Sequence, residues 1–197
     1  MTDDIIIEEY DARDRDKCIK LLEATFPNTS NEATFRWRFE NPNRNRPLLI
    51  CAKNKEDVVS FNSWIPWEFA YKNEKYLGYQ SGESATDIEY RGKGLFSQIQ
   101  KYAHEIAKKR GIDFFFGFPW RLSYGSSLRI GYHPIATYYH RLRPLIPLRM
   151  LRKNDELNKY KNINNTFMNE EGMITPLITT EYCRWRYDEN PNHYELI

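Results

Sequence analysis

The sequence predicts a mixed α/β (α+β) fold: a largely antiparallel central sheet, flanked by helices, with one parallel strand pair set into it. Two observations carry this. Strand-like runs between Leu48 and Ile88 follow one another through short polar turns, the pattern of an antiparallel meander. A glycine turn, Arg91-Gly92-Lys93-Gly94-Leu95-Phe96, then separates the last run from an amphipathic stretch and a continuous apolar run, Phe114 to Phe118. Strand, crossover helix and strand make a right-handed parallel unit.

In order, Ile5-Ile6-Ile7 is β-branched and reads as a first strand. Cys18, Leu21, Leu22 and Phe26 have helical spacing over Asp14 to Phe26, which Pro27-Asn28 ends. Ser30 or Asn31 can cap a second helix carrying Phe35, Trp37 and Phe39, stopped by Asn41-Pro42-Asn43. Leu48 to Ala52, Val58 to Ala70 and Tyr76 to Ile88 are strands. Pro66 inside the second marks an edge, bulge or bend. After the glycine turn, Leu95, Ile99, Tyr102, Ala103 and Ile106 form one helix face, which Gly111 ends behind Lys108-Lys109-Arg110. Phe114 to Phe118 is expected as a buried strand, Ser123 to Ile130 as a short helix, and Gly131 to Tyr139 as a turn back into a strand.

Composition excludes several functions. The chain has 197 residues, of which 41% are hydrophobic and 15% aromatic, enough for one core. A net charge of +2 gives no support to nucleic-acid binding through bulk charge. Between Asp113 and Asp155 there is no acidic residue but several arginines, which makes either a solvated face or an anion-facing side. Arg141 to Lys153 could lie on a membrane surface, although Pro144 and Pro147 oppose a regular amphipathic helix. Cys18, Cys51 and Cys183 are scattered, with no Cys-x-x-Cys pair, so neither a disulfide framework nor a zinc site is indicated. With no long apolar run, an integral membrane segment is not expected, and a reducing, cytoplasmic compartment fits best. His104 and His140 read as surface residues.

One internal echo stands out. Arg184-Trp185-Arg186-Tyr187-Asp188-Glu189-Asn190-Pro191-Asn192 nearly repeats Arg36-Trp37-Arg38-Phe39-Glu40-Asn41-Pro42-Asn43, with one extra residue. The expected organisation is therefore a first domain at 1–143. A linker and the start of a second, related module follow at 144–197, as in a fragment of a longer tandem protein.

The chemistry centres on the glycine turn. A helix starting at Gly92 or Lys93 leaves amide hydrogens without partners at the positive end of its dipole. Glycines let that backbone approach a diphosphate, with Arg91 and Lys93 at the rim. Gly94 after Lys93 rules out a Walker loop, and Ser97 breaks a dinucleotide fingerprint. By itself a Gly-x-Gly is also an ordinary strand-to-helix turn.

At these residues the chain resembles the GNAT N-acetyltransferase superfamily. Arg91, Gly94 and Phe96 stand at the marked positions of its Arg/Gln-x-x-Gly-x-Gly/Ala signature, with Leu95-Phe96 a variant found in one branch. Phe118-Pro119 through Ser123-Tyr124 to Ile130-Gly131-Tyr132 is similar to a second stretch of that branch, with Trp120 and Leu122 in place of two asparagines. The resemblance implies acetyl-CoA as co-substrate, no metal, and a sheet splayed at the parallel pair. Backbone groups of Ala85, Thr86, Asp87 and Ile88 would pair with the pantetheine arm beside Ser123. The Arg91, Gly92, Lys93, Gly94, Leu95 and Phe96 amides would hold the pyrophosphate.

Along the preceding strand, Ser81, Glu83, Ala85 and Asp87 share one face by alternation. Glu83 stands near the family's usual general base, and Tyr124 where a thiolate donor could sit. Their alternatives are a solvated strand carboxylate and a packing residue. The implied function is an N-acetyltransferase acting on an amine of a small molecule, an amino sugar by analogy; self-association stays open. The competing expectation is a non-catalytic CoA-binding or scaffold protein with a degraded site.

Overall fold

The computed structural model describes residues 4–42, 44–72, 74–136 and 173–192. The expected features at 137–172, including the strand through Tyr139, the Arg141–Lys153 segment and most of the linker, lie outside these residues. Strands β1 (Ile5–Glu9), β2 (Leu48–Asn54), β3 (Asp57–Tyr71) and β4 (Glu74–Thr86) form an antiparallel meander. β5 (Phe114–Phe116) then pairs with β4 in parallel, in the order β1-β2-β3-β4-β5. Helices α1 (Arg15–Thr25) and α2 (Glu32–Phe39) cover one face, and α3 (Leu95–Arg110) covers the other. α4 (Arg121–Arg129) follows β5; β6 (Thr175–Pro176) and α5 (Thr180–Cys183) come from the distal segment. This is the mixed sheet that the sequence predicts.

Alternation explains the two layers. Leu49 and Cys51 of β2 point with Phe61 and Ala85 toward Cys18, Leu21, Leu22, Phe35 and Phe39 of α1 and α2. Leu48, Ile50 and Ala52 point with Trp64 and Tyr79 toward Leu95, Ile99, Ala103 and Ile106 of α3. The α3 face is the one that the three-and-four spacing predicts. Asn31 caps α2 through a reciprocal box with Thr34, both bonds 2.9 Å. Gly111 ends α3 in the left-handed conformation.

Several expectations change in detail. α3 begins at Leu95 with Gly94 as its cap, later than the expected Gly92 or Lys93. β4 ends at Thr86, and Ile88 opens a short 3₁₀ turn to Tyr90. β5 is only half-buried and stops at Phe116, leaving Phe118 exposed. Gly131–Ala136 forms no strand. His104, expected at the surface, is half-buried: one side of its ring stacks on Phe115 at 5.5 Å. Its burial, with Lys108 nearby, pushes its pKa down.

Pro66 is accommodated because β2 pairs with β3 only as far as Trp64, and β6 meets β3 from Phe69. On that side Pro66 faces no ladder partner, so its missing N–H costs nothing there.

Phe61 is fully buried and meets Phe35 and Phe39 at 6.2 and 5.9 Å. Phe61→Ala is expected to lower stability by about 3–5 kcal/mol, read from the urea midpoint; a loss below about 1 kcal/mol would show that this layer repacks freely.

Candidate active site

β4 serves two neighbours along different parts of its length. Gly78, Tyr79 and Gln80 pair with Phe114, Phe115 and Phe116 of β5. Beyond Gln80 no β5 partner continues, while Ser84, Ala85 and Thr86 stay paired with β3. One edge of Ser81–Thr86 is thereby released from the sheet. Gly78 permits the parallel pairing, since a Cβ there would come within 2.5–2.7 Å of the Phe114 and Phe69 rings.

Between the two regions the register shifts. Asn62 lies opposite Ser84 and Trp64 opposite Ser81, so β4 carries one extra residue at Gly82-Glu83. A Cβ on Gly82 would stand 2.6 Å from Ser63 Oγ. The bulge breaks the single stripe predicted for Ser81, Glu83, Ala85 and Asp87. Ala85 belongs to the layer under α1 and α2, whereas Tyr79, two residues before Ser81, belongs to the layer under α3.

The backbone of the released edge can be oriented from its hydrogen bonds. Ala85 O accepts from Ser60 Oγ at 3.0 Å, and Asp87 N donates to Val59 O at 2.9 Å, so both groups face β3. Alternation leaves the backbone groups of Ser84 and Thr86 toward the open side. Thr86 O accepts from Arg91 Nε at 3.0 Å, which ties the strand end to the glycine turn. Asp87 caps the 3₁₀ turn through Glu89 N, and Ile88 is 75% exposed.

Gly92 and Gly94 both take φ +78°, a conformation that glycine adopts without strain. A Cβ on Gly92 would meet nothing within 4 Å, and one on Gly94 only Gln98 Nε2 at 3.8 Å. The turn therefore opens onto free space at the start of α3. Its first-turn amides have no acceptor within the helix, and the dipole there is positive. Leu95 anchors the helix in the core, with Phe96 half-buried beside it. Lys93 Nζ lies over the Tyr90 ring at 4.4 Å. This geometry fits an anionic diphosphate held by backbone amides.

Glu83 sits below α2, where its carboxylate is ion-paired with Arg38; the two side chains are 14% and 23% exposed. Ser63 Oγ lies 3.4 Å from the same carboxylate. A small space lined by Ser30, Asn31, Thr34, Phe35, Arg38 and Glu83 adjoins the pair. Glu83 is thus not a solvated strand carboxylate. Tyr124, in the first turn of α4, is 44% exposed, and Ser123 Oγ donates to Trp120 O at 3.1 Å. Asn62 and Ser84 join the predicted residues at this strand edge: Ser84 Oγ donates to Asn62 Oδ1 at 3.1 Å. Neither was visible as a candidate from sequence, nor was Arg38, whose only signal was its place in the repeated Arg-Trp-Arg. Among the described residues no group of three metal-ligating side chains comes together, and no helix is long and apolar enough to cross a membrane.

Comparison with known proteins gives the family and the fold. A family model described as an acetyltransferase (GNAT) domain matches residues 7–135, more than half of the chain. No curated protein sequence matches. Among solved structures, AAC(6')-Iy in complex with the bisubstrate analog CoA-S-monomethyl-acetylneamine is similar at 12% identity and TM-score 0.58. That match covers 71% of this chain and 99% of the other. Glucosamine-6-phosphate N-acetyltransferase from Arabidopsis thaliana follows at 11% identity, TM-score 0.55, 70% and 97% coverage. A transcriptional regulator from Bacillus halodurans is similar at 16%, 0.57, 71% and 99%.

Two substitutions probe the geometry. Gly92→Ala is expected to cost about 1 kcal/mol, from the positive φ alone; a thermal-unfolding loss several times larger would mean that the Cβ meets a wall. Arg38→Ala leaves a largely enclosed carboxylate without its cation. It should cost roughly 1–2 kcal/mol, less than a fully buried pair because solvent reaches both groups, and an unchanged unfolding midpoint would show the pair to be inert.

Proposed function

Because this chain belongs to the GNAT acetyltransferase family, we propose that it transfers an acetyl group from acetyl-CoA to the amine of a small molecule, with an amino sugar as the favoured acceptor. The observation that carries the reading is the glycine turn capping α3 beside a strand edge that β5 leaves open. In this reading the amides from Gly92 to Phe96 bind the diphosphate, with Arg91 and Lys93 adding charge at the rim. Ser84 and Thr86, with the Ile88 backbone beyond them, line the path of the pantetheine arm, with Ser123 on the far side; Ala85 and Asp87, expected there from the sequence, turn their backbone to β3 instead. The co-substrate supplies an activated thioester. The chain's own task is to position the acceptor amine and move its proton.

Glu83 takes that proton, directly or through one water, and Arg38 holds it as the carboxylate that a base must be. Tyr124, exposed on the first turn of α4, supplies a proton to the leaving thiolate. The acceptor enters from the side of α1 and α2. An aminoglycoside acetyltransferase and a glucosamine-6-phosphate N-acetyltransferase among the similar structures support an amino sugar. Three free, buried thiols fit a reducing, cytoplasmic setting, and the chemistry needs no metal. One observation favours a second reading, a CoA-binding protein without turnover: the Arg38 pair engages the candidate base.

Titration calorimetry with acetyl-CoA is expected to show binding that Gly94→Leu weakens at least tenfold with the far-ultraviolet spectrum unchanged. No heat from the wild type would end both readings. With an amino-sugar and aminoglycoside panel, Glu83→Gln should lower turnover by about 10²–10⁴-fold at unchanged acetyl-CoA affinity. Binding without turnover on any amine selects the second reading.

A further inference from the structure

The repeated Arg-Trp-Arg segments touch each other. Trp37 on α2 and Trp185 stack at 4.9 Å with planes 16° apart. Trp37 Nε1 donates to Trp185 O at 2.8 Å, and Trp185 Nε1 donates to Trp37 O at 3.0 Å. Each residue makes to the other the bond it receives, which is the mark of an isologous contact about a two-fold axis. Both indoles are buried, at 7% and 4% exposure.

The correspondence extends along both segments. Asn31 Oδ1 accepts from Thr34 N, and Thr179 Oγ1 accepts from Tyr182 N. The same two caps accept through their carbonyls from Phe35 N and Cys183 N, at 3.0 Å each. The one extra residue of the second copy is also located. Glu40 N reaches Arg36 O across four residues, whereas Glu189 N reaches Arg184 O across five. The insertion is absorbed as a π turn over Arg184–Asp188, and the Trp–Trp pairing is kept. Arg186 lies over the Trp37 ring at 5.9 Å, and Arg44 over Trp185 at 3.7 Å.

From this we infer that the Trp37 side of α2 is an interaction surface built to pair with a second copy of its own motif, and that the chain supplies that copy in cis through residues 179–192. The distal segment is thereby a structural counterpart of residues 31–42, docked by pseudo-two-fold symmetry. Its further anchors are β6 on β3, through Phe69 and Ala70, and the Asn41–Glu189 bond at 2.9 Å. The pairing braces α2 at the residue before Arg38, so the wall that holds Glu83 depends on the distal copy. The inference stands without the acetyl-transfer reading, because none of its readouts involves turnover.

The test uses the 197-residue chain. Stacked indoles give an exciton couplet in far-ultraviolet circular dichroism. The difference spectra, wild type minus Trp37→Phe and wild type minus Trp185→Phe, are expected to coincide; dissimilar spectra overturn the pair. Each single variant should lower Tm by about 3–8 °C, and the double variant by clearly less than the sum; additive losses overturn it. Deletion of Asp188 gives the second copy the length of the first and should keep the couplet; its loss overturns the equivalence of the two segments. Sedimentation equilibrium should give a monomer of 23.7 kDa, and a dimer that Trp185→Asp dissociates with loss of the couplet would move the pairing from cis to between chains.

Discussion

β4 pairs with an antiparallel neighbour along nearly its whole length and with a parallel one along three residues, and the site follows from that mismatch. Parallel and antiparallel ladders space their hydrogen bonds differently, and the extra residue at Gly82-Glu83 shifts β4 against β3 just beyond the point where β5 ends. Glycine relieves the crowded point, since a Cβ on Gly82 would stand 2.6 Å from Ser63 Oγ and force that hydroxyl to move. Past the bulge, side chains that would have faced α3 face α2 instead. Glu83 reaches Arg38 for this reason, and the backbone of Ser84 and Thr86 is left with an open side.

The electrostatics are divided along the same strand. At its C-terminal end, the α3 amides, Arg91 and Lys93 gather positive potential over the space above Gly92 and Gly94. Near the bulge the carboxylate of Glu83 is countered by Arg38 in partly enclosed surroundings. The first place would suit an anion, while a cationic amine would have to compete with Arg38 for the second. Arg38 is held in turn by α2, whose outer side is covered by the distal Arg-Trp-Arg copy. Packing remote from the strand therefore bears on the geometry of its carboxylate.

The secondary structure was largely legible. The apolar spacing of Leu95, Ile99, Ala103 and Ile106 identified α3, and the polar stretch Lys53–Asp57 marked the break between β2 and β3, although the turn itself is only Lys55-Glu56 and the strands take the rest. The glycine turn was legible too, because its positive φ favours residues without side chains. What misled was alternation counted straight through a strand. Ser81, Glu83, Ala85 and Asp87 form one stripe only if no residue is inserted, and nothing in Gly82-Glu83 announces that β3 runs one residue short there. Phe114 to Phe118 looked like a buried strand because its run is wholly apolar. β5 ends at Phe116 all the same, and Phe118 faces outward. His104 looked like a surface residue because a lone histidine in a charged helix gives no sign of the Phe115 ring that packs on it.

By itself the sequence determined the mixed sheet, the glycine turn at Arg91–Phe96 that leads into α3 and the duplicated Arg-Trp-Arg segment, because each is written in local spacing or in residues with a singular backbone role. The tertiary structure alone decided that Glu83 is paired with Arg38, that Ser84 and Thr86 offer their backbone to the open edge, and that the two tryptophans bind each other. Those are contacts between residues far apart in the chain, set by a strand register and a helix packing that no local pattern encodes.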